Sequence, residues 1–571
     1  MTSPYRRVGR DADGSAPSDQ AADGRTSAEA IAEALAAAEP SGPRPLRELV
    51  ARLEALGGLQ SVVPAGTPAS GEGRAAPSAG ALLVRGLTSD SRRVSAGSMF
   101  VAMSGIHSDG HDFVSAAAAL GASAAIVERP VPGAELTQIV VDDSRIALAA
   151  AAAWWYGDPS RELGVVGVTG TDGKTTTTFL AAAVLEAAGI STGFITTAAL
   201  RVGHLQLANP EHVTTPEAPH LQRMLRAMVG SGNSAAVVET TSHGLALNRV
   251  AEIAYDVAIF TNLTHEHLEL HGTFEAYREA KLSLFERLGA EREAKRLPRL
   301  WPRAAIVNAD DAAAPLFVAA ANRAGARVVT YGESPEVDVR ATGAEEGRGP
   351  LRFHAATPRW SGSVELGLFG SFNVHNALAA VALGEALELE PDRIREGLRR
   401  VTGVPGRMER IDCGQPFTVV VDYAHSPASL QKVLDILATA AVPGGGLIAV
   451  FGSAGERDVQ KRPMMGLVAG ERCRLVVVTD EDPRGENSAA ILDEIAAGAE
   501  AAGKLRGRDL LCIGDRRAAI EAAFERAAPG DVVLLAGKGH EQTIIMADGP
   551  MPWDERSEAV GALGRLGYRN E

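Results

Sequence analysis

The chain's most legible chemistry lies in Gly170-Thr171-Asp172-Gly173-Lys174-Thr175-Thr176, which follows the apolar run VVGVT and opens a helical stretch that stops at Gly189. The glycines let backbone N–H groups close on phosphate oxygens, and a helix N-terminus favours their charge. Lys174 reaches the terminal phosphates and Thr175 can ligate Mg²⁺. An ordinary glycine turn has no reason to combine strand, glycines, Lys-Thr and helix in this order. The spacing is GxxGKT rather than GxxxxGK[ST], because position 168 is Val, so the loop belongs to a subclass of phosphate loops.

A second group sits in FEAYREAKLSLFERL, residues 274 to 288, where Phe274, Tyr277, Leu284, Phe285 and Leu288 share a helical face with Lys281. Desolvation lowers an amine's pKa, so a lysine on an apolar stripe can act as a nucleophile or take up carbon dioxide as a carbamate. Taken alone, the pattern more often means a snorkelling or ion-paired lysine. Ahead of that helix runs TNLTHEHLELHG, residues 261 to 272, with three histidines and two carboxylates. Together with Glu239 these can offer N and O ligands to Mg²⁺, whereas no cysteine is near enough in sequence to suggest zinc.

These residues share one kind of address. Apolar runs end in polar clusters at VVGVT before Gly170, AAVVE at Glu239, VAIFT before Asn262, TVVV before Asp422, LIAVF before Gly452, VVVT before Asp480 and VVLLA before Gly537. Alternation of such runs with helical stretches predicts α/β architecture with mostly parallel sheets, whose ligands bind outside the carboxyl ends of the strands. A length of 571 residues implies about three domains. A net charge of −15 excludes a general basic surface for nucleic acid or anionic membrane, so bound phosphate must meet a local site. Cys413, Cys473 and Cys512 lie far apart, as in a reduced cytoplasmic protein. The longest apolar run, 146 to 156, is too short to span a bilayer, and the N-terminus lacks the apolar core of a secretory signal. Residues 1–43 read as a disordered tail, PLRELVARLEAL (45 to 56) as a helix, and about 62–80 as a loop insertion.

The chain resembles the Mur ligases, ATP-dependent amide-forming enzymes of peptidoglycan synthesis, and among them the MurE type. That type adds the third amino acid to UDP-N-acetylmuramoyl-L-alanyl-D-glutamate. Besides TGTDGKTT, the resemblance rests on LTSDSRRVSAGSMFVAMSGIHSDGHDF (87 to 113), VTTPEA (213 to 218), ETTSHGLALNRV (239 to 250), TNLTHEHLELHG, the helix with Lys281, VNADD (307 to 311), FNVHNALAA (372 to 380), GRMERI (406 to 411), VDYAHSP (421 to 427), FGSAGERDVQKRP (451 to 463), DEDPR (480 to 484) and AGKGHEQ (536 to 542). It runs from about Pro45 to the C-terminus.

The resemblance implies three domains: a UDP-binding α/β domain (44–162), a central P-loop ATPase domain with a mostly parallel sheet (163–404), and a C-terminal Rossmann-like domain that receives the amino acid (405–571). It assigns Ser89, Ser91, Ile106, His107 and Ser108 to the UDP end, and Val213, Thr214, Thr215, Thr241, Leu247 and Arg249 to the muramoyl-peptide. Gly170, Thr171, Asp172, Gly173, Lys174, Thr175 and Thr176 would cradle ATP, with Asn308, Asp311 and Arg407 also on the nucleotide. Thr175, Glu239 and His267 would bind Mg²⁺. Lys281 matches a carbamylated lysine (N6-carboxylysine), which reverses the reading of that residue taken alone. Arg457, Glu481, Asp482, Pro483, Arg484, Gly537 and Glu541 match the pocket for the incoming amino acid.

Several positions depart from the family's usual residues: Asp172 for Asn, Val213 for Asn, Leu247 for Gln, Glu266 and Glu269 for Asp, and Asp482 for the Asn of the common diaminopimelate motif. The implied chemistry is phosphorylation of a D-glutamyl carboxylate by ATP, then attack by the amine of a diamino acid. Arg484 for a carboxylate and Asp482 for an ammonium favour meso-2,6-diaminopimelate over L-lysine or L-ornithine. The expected partners are small molecules alone, and the expected state is a monomer. Two other readings are a folylpolyglutamate-synthase-like ligase, which does not account for 87 to 113 or DEDPR, and a non-catalytic nucleotide-binding regulator, which does not account for Lys174, Glu239, His267 and Lys281 together.

Overall fold

A computed structural model describes residues 26–65, 81–105, 108–209, 213–264, 268–290, 294–345, 350–440 and 444–569. The chain divides into two compact units: 1–342 with 354–362 and 375–398, and 343–353 and 363–374 with 399–571. The UDP-side and central segments therefore share one unit, each with its own sheet.

Within the first unit, helix α1 (Ser27–Ala37) is followed by α2 (Leu46–Ala55) and by strands β1 (Leu59–Val63), β2 (Gly86–Thr88), β3 (Ser98–Val101), β4 (Ala124–Val127) and β5 (Thr137–Val141). The sheet order is β1-β5-β4-β3-β2, parallel except where β1 meets β5. The apolar run near Trp154 forms α3 (Ser144–Trp155), whose Leu148, Trp154 and Trp155 join Leu46, Leu49 and Leu53 of α2 in one core. Among the described residues no helix is long and apolar enough to cross a membrane.

The larger sheet of this unit carries β6 (Gly164–Thr169), β7 (Thr192–Ile195), β8 (Ala199–Val202), β9 (Leu205–Ala208), β10 (Ala235–Glu239), β11 (Val257–Phe260), β12 (Ala304–Asn308) and β13 (Arg327–Gly332). These run in the order β9-β8-β7-β10-β6-β11-β12-β13, parallel from β7 to β13 and antiparallel at β8 and β9. Strands β6, β10, β11 and β12 are buried along their whole length, which is why they read as unbroken apolar runs rather than alternating ones. The chain leaves β6 toward β7 and later returns to its other side at β11, so the carboxyl end of β6 is a topological switch point where a ligand crevice opens. The helices that matter there are α4 (Lys174–Ala187), α5 (Ala218–Gly230) and α6 (Phe274–Glu286).

The second unit is built on β14 (Glu409–Ile411), β15 (Thr418–Asp422), β16 (Leu447–Phe451), β17 (Leu475–Val478), β18 (Leu510–Cys512) and β19 (Val532–Ala536), followed by the hairpin β20 (Thr543–Met546) and β21 (Gly549–Pro552). The order is β14-β15-β19-β16-β17-β18, parallel except at β14. Hydrophobic cores cover both faces. All seven apolar runs singled out in the sequence are strands of one sheet or the other.

Two expectations need correction. The disordered tail is too long: residues 27–37 form a helix with a capping box between Thr26 and Glu29, and Ile31 is buried against Leu221, Met224 and Met228. Arg223 Nε donates to the Leu35 carbonyl at 2.8 Å, and Glu39 accepts from the Tyr156 hydroxyl at 3.0 Å. An alanine-rich segment has high helix propensity, and two apolar side chains one turn apart, Ile31 and the partly buried Leu35, dock it once a surface is there to receive them. The insertion also begins later than 62, because Val62 and Val63 pair with Ile139 and Gln138 in β1–β5. Residues 66–80 and 1–25 lie outside the described residues.

Truncating a buried isoleucine costs about 2–5 kcal/mol where the site cannot collapse. Ile31→Ala should therefore lower the urea midpoint of the first unit measurably, with Ala36→Ser as an outward-facing control. An unchanged midpoint would show that α1 does not dock.

Candidate functional site

The phosphate loop is held from behind by the chain that leaves β11. Thr171 N donates to the Asn262 carbonyl and Asp172 N to Asn262 Oδ1, each at 2.8 Å. The Asp172 carbonyl accepts from Thr261 Oγ1 at 2.6 Å and Asn262 Nδ2 at 3.2 Å. Gly170 has φ +148°, and a Cβ there would stand 1.9 Å from Thr261 Oγ1. Gly173 has φ +79°, and its Cβ would stand 2.3 Å from Asn376 Oδ1, the atom that also accepts from Thr177 Oγ1 at 3.2 Å. Both glycines are thus required by conformation and by space. Lys174 folds back over the loop, with Nζ donating to the Thr171 carbonyl at 2.6 Å, while Thr176 is buried in the first turn of α4.

Glu239, at the end of β10, is buried and accepts from Thr175 Oγ1 at 3.0 Å, from Thr197 N at 3.0 Å and from Thr197 Oγ1 at 3.2 Å. Threonines carry this network outward. Thr197 Oγ1 lies 2.7 Å from Thr214 Oγ1, Thr215 Oγ1 donates to the Glu239 carbonyl at 3.0 Å, and Thr215 and Thr241 hydroxyls lie 3.0 Å apart. Arg249 donates to the Thr215 carbonyl at 2.9 Å and pairs with Glu217 at 2.6 Å, while its Nε is buried without a hydrogen-bond partner. Val213 is exposed at 43%, and Leu247 follows the short helix Ser242–Ala246. The sequence reading missed Thr197, Asn262 and Asn376; the motifs were visible, but nothing in their spacing says which loop atoms they fasten.

Lys281 is buried on α6, as its place on the apolar face predicts. Its Nζ donates to the Gly170 carbonyl at 2.6 Å and lies 4.5 Å from the Tyr277 ring centroid, and the Tyr277 hydroxyl is 2.9 Å from Thr171 Oγ1. The lysine therefore approaches the phosphate loop from beneath. A hydroxyl and a carboxylate side by side at the loop, Thr175 and Glu239, are the hard oxygen donors that Mg²⁺ takes. Among the described residues no cluster of three or more His, Cys, Asp or Glu forms a metal cage. His267, with Glu266 and His265, lies outside the described residues, as do Ile106 and His107.

Asn308 and Asp311 hold the same loop to β12. Asn308 Nδ2 donates to the Thr261 carbonyl at 2.7 Å, and Asp311 Oδ2 accepts from Leu263 N at 2.8 Å. Beside them Asp310 accepts from Glu333 N at 2.6 Å and from Ser334 Oγ, and lies 2.9 Å from His375 Nε2. Burial works to raise the Asp310 pKa, but these hydrogen bonds outweigh it and hold the group down to about 2. On the UDP side, Ser89 and Ser91 follow β2, with Asp90 capping the turn Ser91–Arg93 through Arg92 N, and Ser108 accepts from Gly105 N at 2.9 Å.

In the second unit, Glu481, Asp482, Pro483 and Arg484 leave the end of β17. Asp482 Oδ1 accepts from Lys538 Nζ at 2.8 Å and from Ile545 N at 2.9 Å, and Arg484 N donates to the Ile545 carbonyl at 2.9 Å. Glu541 pairs with Lys538 at 2.6 Å and accepts from the Tyr423 hydroxyl at 3.4 Å. Burial, and then the Glu541 carboxylate, push the Tyr423 phenol above its ordinary pKa, so it stays a donor. Gly537 at φ +102° keeps room for Glu481, whose Oε2 would lie 3.1 Å from a Cβ there. Glu481 Oε2, Arg484 Nε and Arg407 Nε are buried without hydrogen-bond partners. The Arg407 guanidinium lies 5.3 Å from the Tyr423 ring centroid, and Arg457 is exposed on its loop. Asp482, expected to greet a substrate ammonium, is engaged by Lys538, a residue the sequence reading did not single out.

The chain matches the family models for the Mur ligase catalytic domain (residues 83–156), the Mur ligase middle domain (168–384) and the Mur ligase glutamate ligase domain (406–539). It is 49% identical over 489 residues to a UDP-N-acetylmuramyl-tripeptide synthetase of Roseiflexus sp., covering 85% of this chain and 95% of that protein. The chain belongs to the Mur ligase family. This ligase is also 42% identical to a UDP-N-acetylmuramoyl-L-alanyl-D-glutamate–2,6-diaminopimelate ligase of Geobacter metallireducens, over 86% of the chain and 96% of the relative. A solved structure of an enzyme with that latter name superposes with a TM-score of 0.59 at 30% identity, covering 85% of the ligase and 96% of the matched chain. As a Mur ligase it forms amide bonds.

Gly173→Ala forces a side chain into a left-handed backbone and into Asn376, a cost of about 1–2 kcal/mol before the clash is counted. The variant should fold yet bind a fluorescent ATP analogue at least about tenfold more weakly. Wild-type affinity in equilibrium titration would refute the close fit.

Proposed function

We propose that the ligase joins a diamino acid, meso-2,6-diaminopimelate, to the D-glutamyl carboxylate of UDP-N-acetylmuramoyl-L-alanyl-D-glutamate, using ATP, as a cytoplasmic monomer serving peptidoglycan synthesis. Residues 44–162 take the UDP end, 163–404 take ATP and the muramoyl-peptide, and 405–571 take the amino acid. The observation that carries the amino-acid identity is Arg484, whose buried Nε lacks a hydrogen-bond partner, as does Glu481 Oε2 three residues earlier on the same loop. A carboxylate and an ammonium on neighbouring atoms of the substrate satisfy both. Diaminopimelate carries that pair at its distal end, whereas lysine and ornithine bring only an ammonium there.

A carboxylate is a poor electrophile, so its oxygen first takes the γ-phosphoryl group of ATP to give an acyl phosphate and ADP. The amine then attacks the acyl carbon, and the tetrahedral intermediate expels phosphate. Lys174 exchanges the Thr171 carbonyl for a phosphate oxygen, the loop N–H groups orient the phosphates, and Arg249 orients the muramoyl-peptide. Mg²⁺ held by Thr175, Glu239 and His267 would neutralise charge on the transferring phosphoryl group. Carbamylation of Lys281, in which its neutral amine adds to carbon dioxide and releases a proton, would convert a buried cation into an anionic oxygen ligand. Support for this reading is the lysine's burial, which disfavours the charged ammonium and favours the neutral amine that reacts with carbon dioxide.

Incubation with the UDP-muramoyl-dipeptide, ATP and Mg²⁺ against meso-diaminopimelate, L-lysine and L-ornithine, with products weighed by mass spectrometry, tests the reaction. Diaminopimelate should give the highest kcat/KM; a preference for lysine or ornithine would overturn the assignment. Lys281→Ala should lose most turnover while folding normally, and a short carboxylic acid in solution should restore part of it. Wild-type turnover in Lys281→Ala would remove the carbamate from the scheme.

A further inference from the structure

The charged groups around the loop after β17 are not equivalent. Asp482 is buried, and its Oδ1 receives Lys538 Nζ at 2.8 Å and Ile545 N at 2.9 Å. Lys538 is also buried and pairs a second time, with Glu541 at 2.6 Å. The two backbone groups of Ile545 are gripped from the same loop, N–H by the Asp482 carboxylate and C=O by Arg484 N at 2.9 Å. Lys538 therefore ties the loop 481–484 to residue 541, and Asp482 and Arg484 tie that loop to the first strand of the hairpin. Beneath it, Arg516 is buried and donates to the Asp480 carbonyl at 3.2 Å and the Ala536 carbonyl at 2.8 Å, fixing the two strand ends from which Glu481 and Gly537 emerge. Glu481 Oε2 and Arg484 Nε remain buried without hydrogen-bond partners.

We propose that Lys538 is a positioning residue for amino-acid selection: by pairing with Asp482 and Glu541 it withdraws Asp482 from the substrate, and leaves Glu481 and Arg484 as the charged pair that receives the ammonium and carboxylate of the incoming amino acid. This rests on the amino-acid pocket assigned under the proposed function. Where the common motif has a neutral Asn, this chain has Asp482, and the extra negative charge is cancelled by a lysine already within the unit rather than by the substrate. A buried carboxylate left without its counter-charge is strongly unfavourable, so the pair is coupled. Replacing Asp482 by Asn keeps an oxygen for the Ile545 N–H and removes the charge that Lys538 balances.

The test is a double-mutant cycle of Asp482→Asn, Lys538→Met and both together. Each protein is read for the KM of diaminopimelate, lysine and ornithine, for the KM of ATP, and for thermal midpoint. Lys538→Met should raise the amino-acid KM about tenfold or more with the ATP KM unchanged, and Asp482→Asn should raise it by clearly less than that. The double variant should recover part of that loss, in KM and in midpoint. A tenfold KM rise from Asp482→Asn alone would put Asp482 on the substrate and overturn the proposal, as would strictly additive effects. If Lys538→Met does not fold, the Asp482→Asn KM and folding of the double variant still decide. If wild type accepts none of the three amino acids, the proposed reaction fails, while additivity in the midpoints judges the Lys538–Asp482 coupling separately.

Discussion

The site in the first unit depends on how closely two strand ends approach one another. The β6 and β11 chains leave adjacent parallel strands, and between Gly170 and Thr261 there is no room for even one methyl group. That contact brings Asn262 alongside the phosphate loop, where its backbone and side chain together hold three polar groups of Thr171 and Asp172. Asn308 and Asp311 fasten the same segment from β12. The loop is consequently rigid before any nucleotide arrives, so its N–H groups need little ordering at the moment of binding.

A different physics governs the second unit. There the decisive groups are buried charges, and each is affordable only because another is close by: Lys538 between Asp482 and Glu541, and Arg516 against Glu555, which also accepts from Trp553 Nε1 at 2.6 Å. Such pairs add little net stability compared with apolar packing, but they fix position, because removing one member strands the other. Hydrogen bonds to backbone groups and hydroxyls thus shape the phosphate site, while paired ions shape the amino-acid site.

Much of this was legible in the sequence wherever a residue's role is local. The seven strands announced themselves because parallel, doubly covered strands must be apolar throughout; helical periodicity put Lys281 on an apolar face, but taken alone it pointed to a snorkelling or ion-paired lysine rather than the buried one found. Roles that depend on a distant partner were not legible. Asn262 acts on Asp172 across 90 residues, and Lys538 on Asp482 across 56. Lys538 sits in AGKGHEQ, whose glycines read as a loop and give no hint that its lysine turns inward. Helix α1 escaped for another reason: beside so many alanines, Ile31 and Leu35 make too faint a stripe, and the docking surface that gives them meaning includes α5.

That helix also bears on solubility. Strand β9 ends the larger sheet, and an outermost strand offers a row of unsatisfied N–H and C=O groups on which a second chain can pair. Helix α1 packs against β9 as well as α5. Proteins manage exposed sheet margins with charge, proline, bulges or a covering element, and here a helix that precedes every Mur ligase motif in the chain packs on the outermost strand, sharing a core with Leu205 and Leu207. A truncation that ends within residues 27–37 would expose the apolar side chains that α1 covers on this outermost strand and invite aggregation, although it leaves each catalytic motif intact.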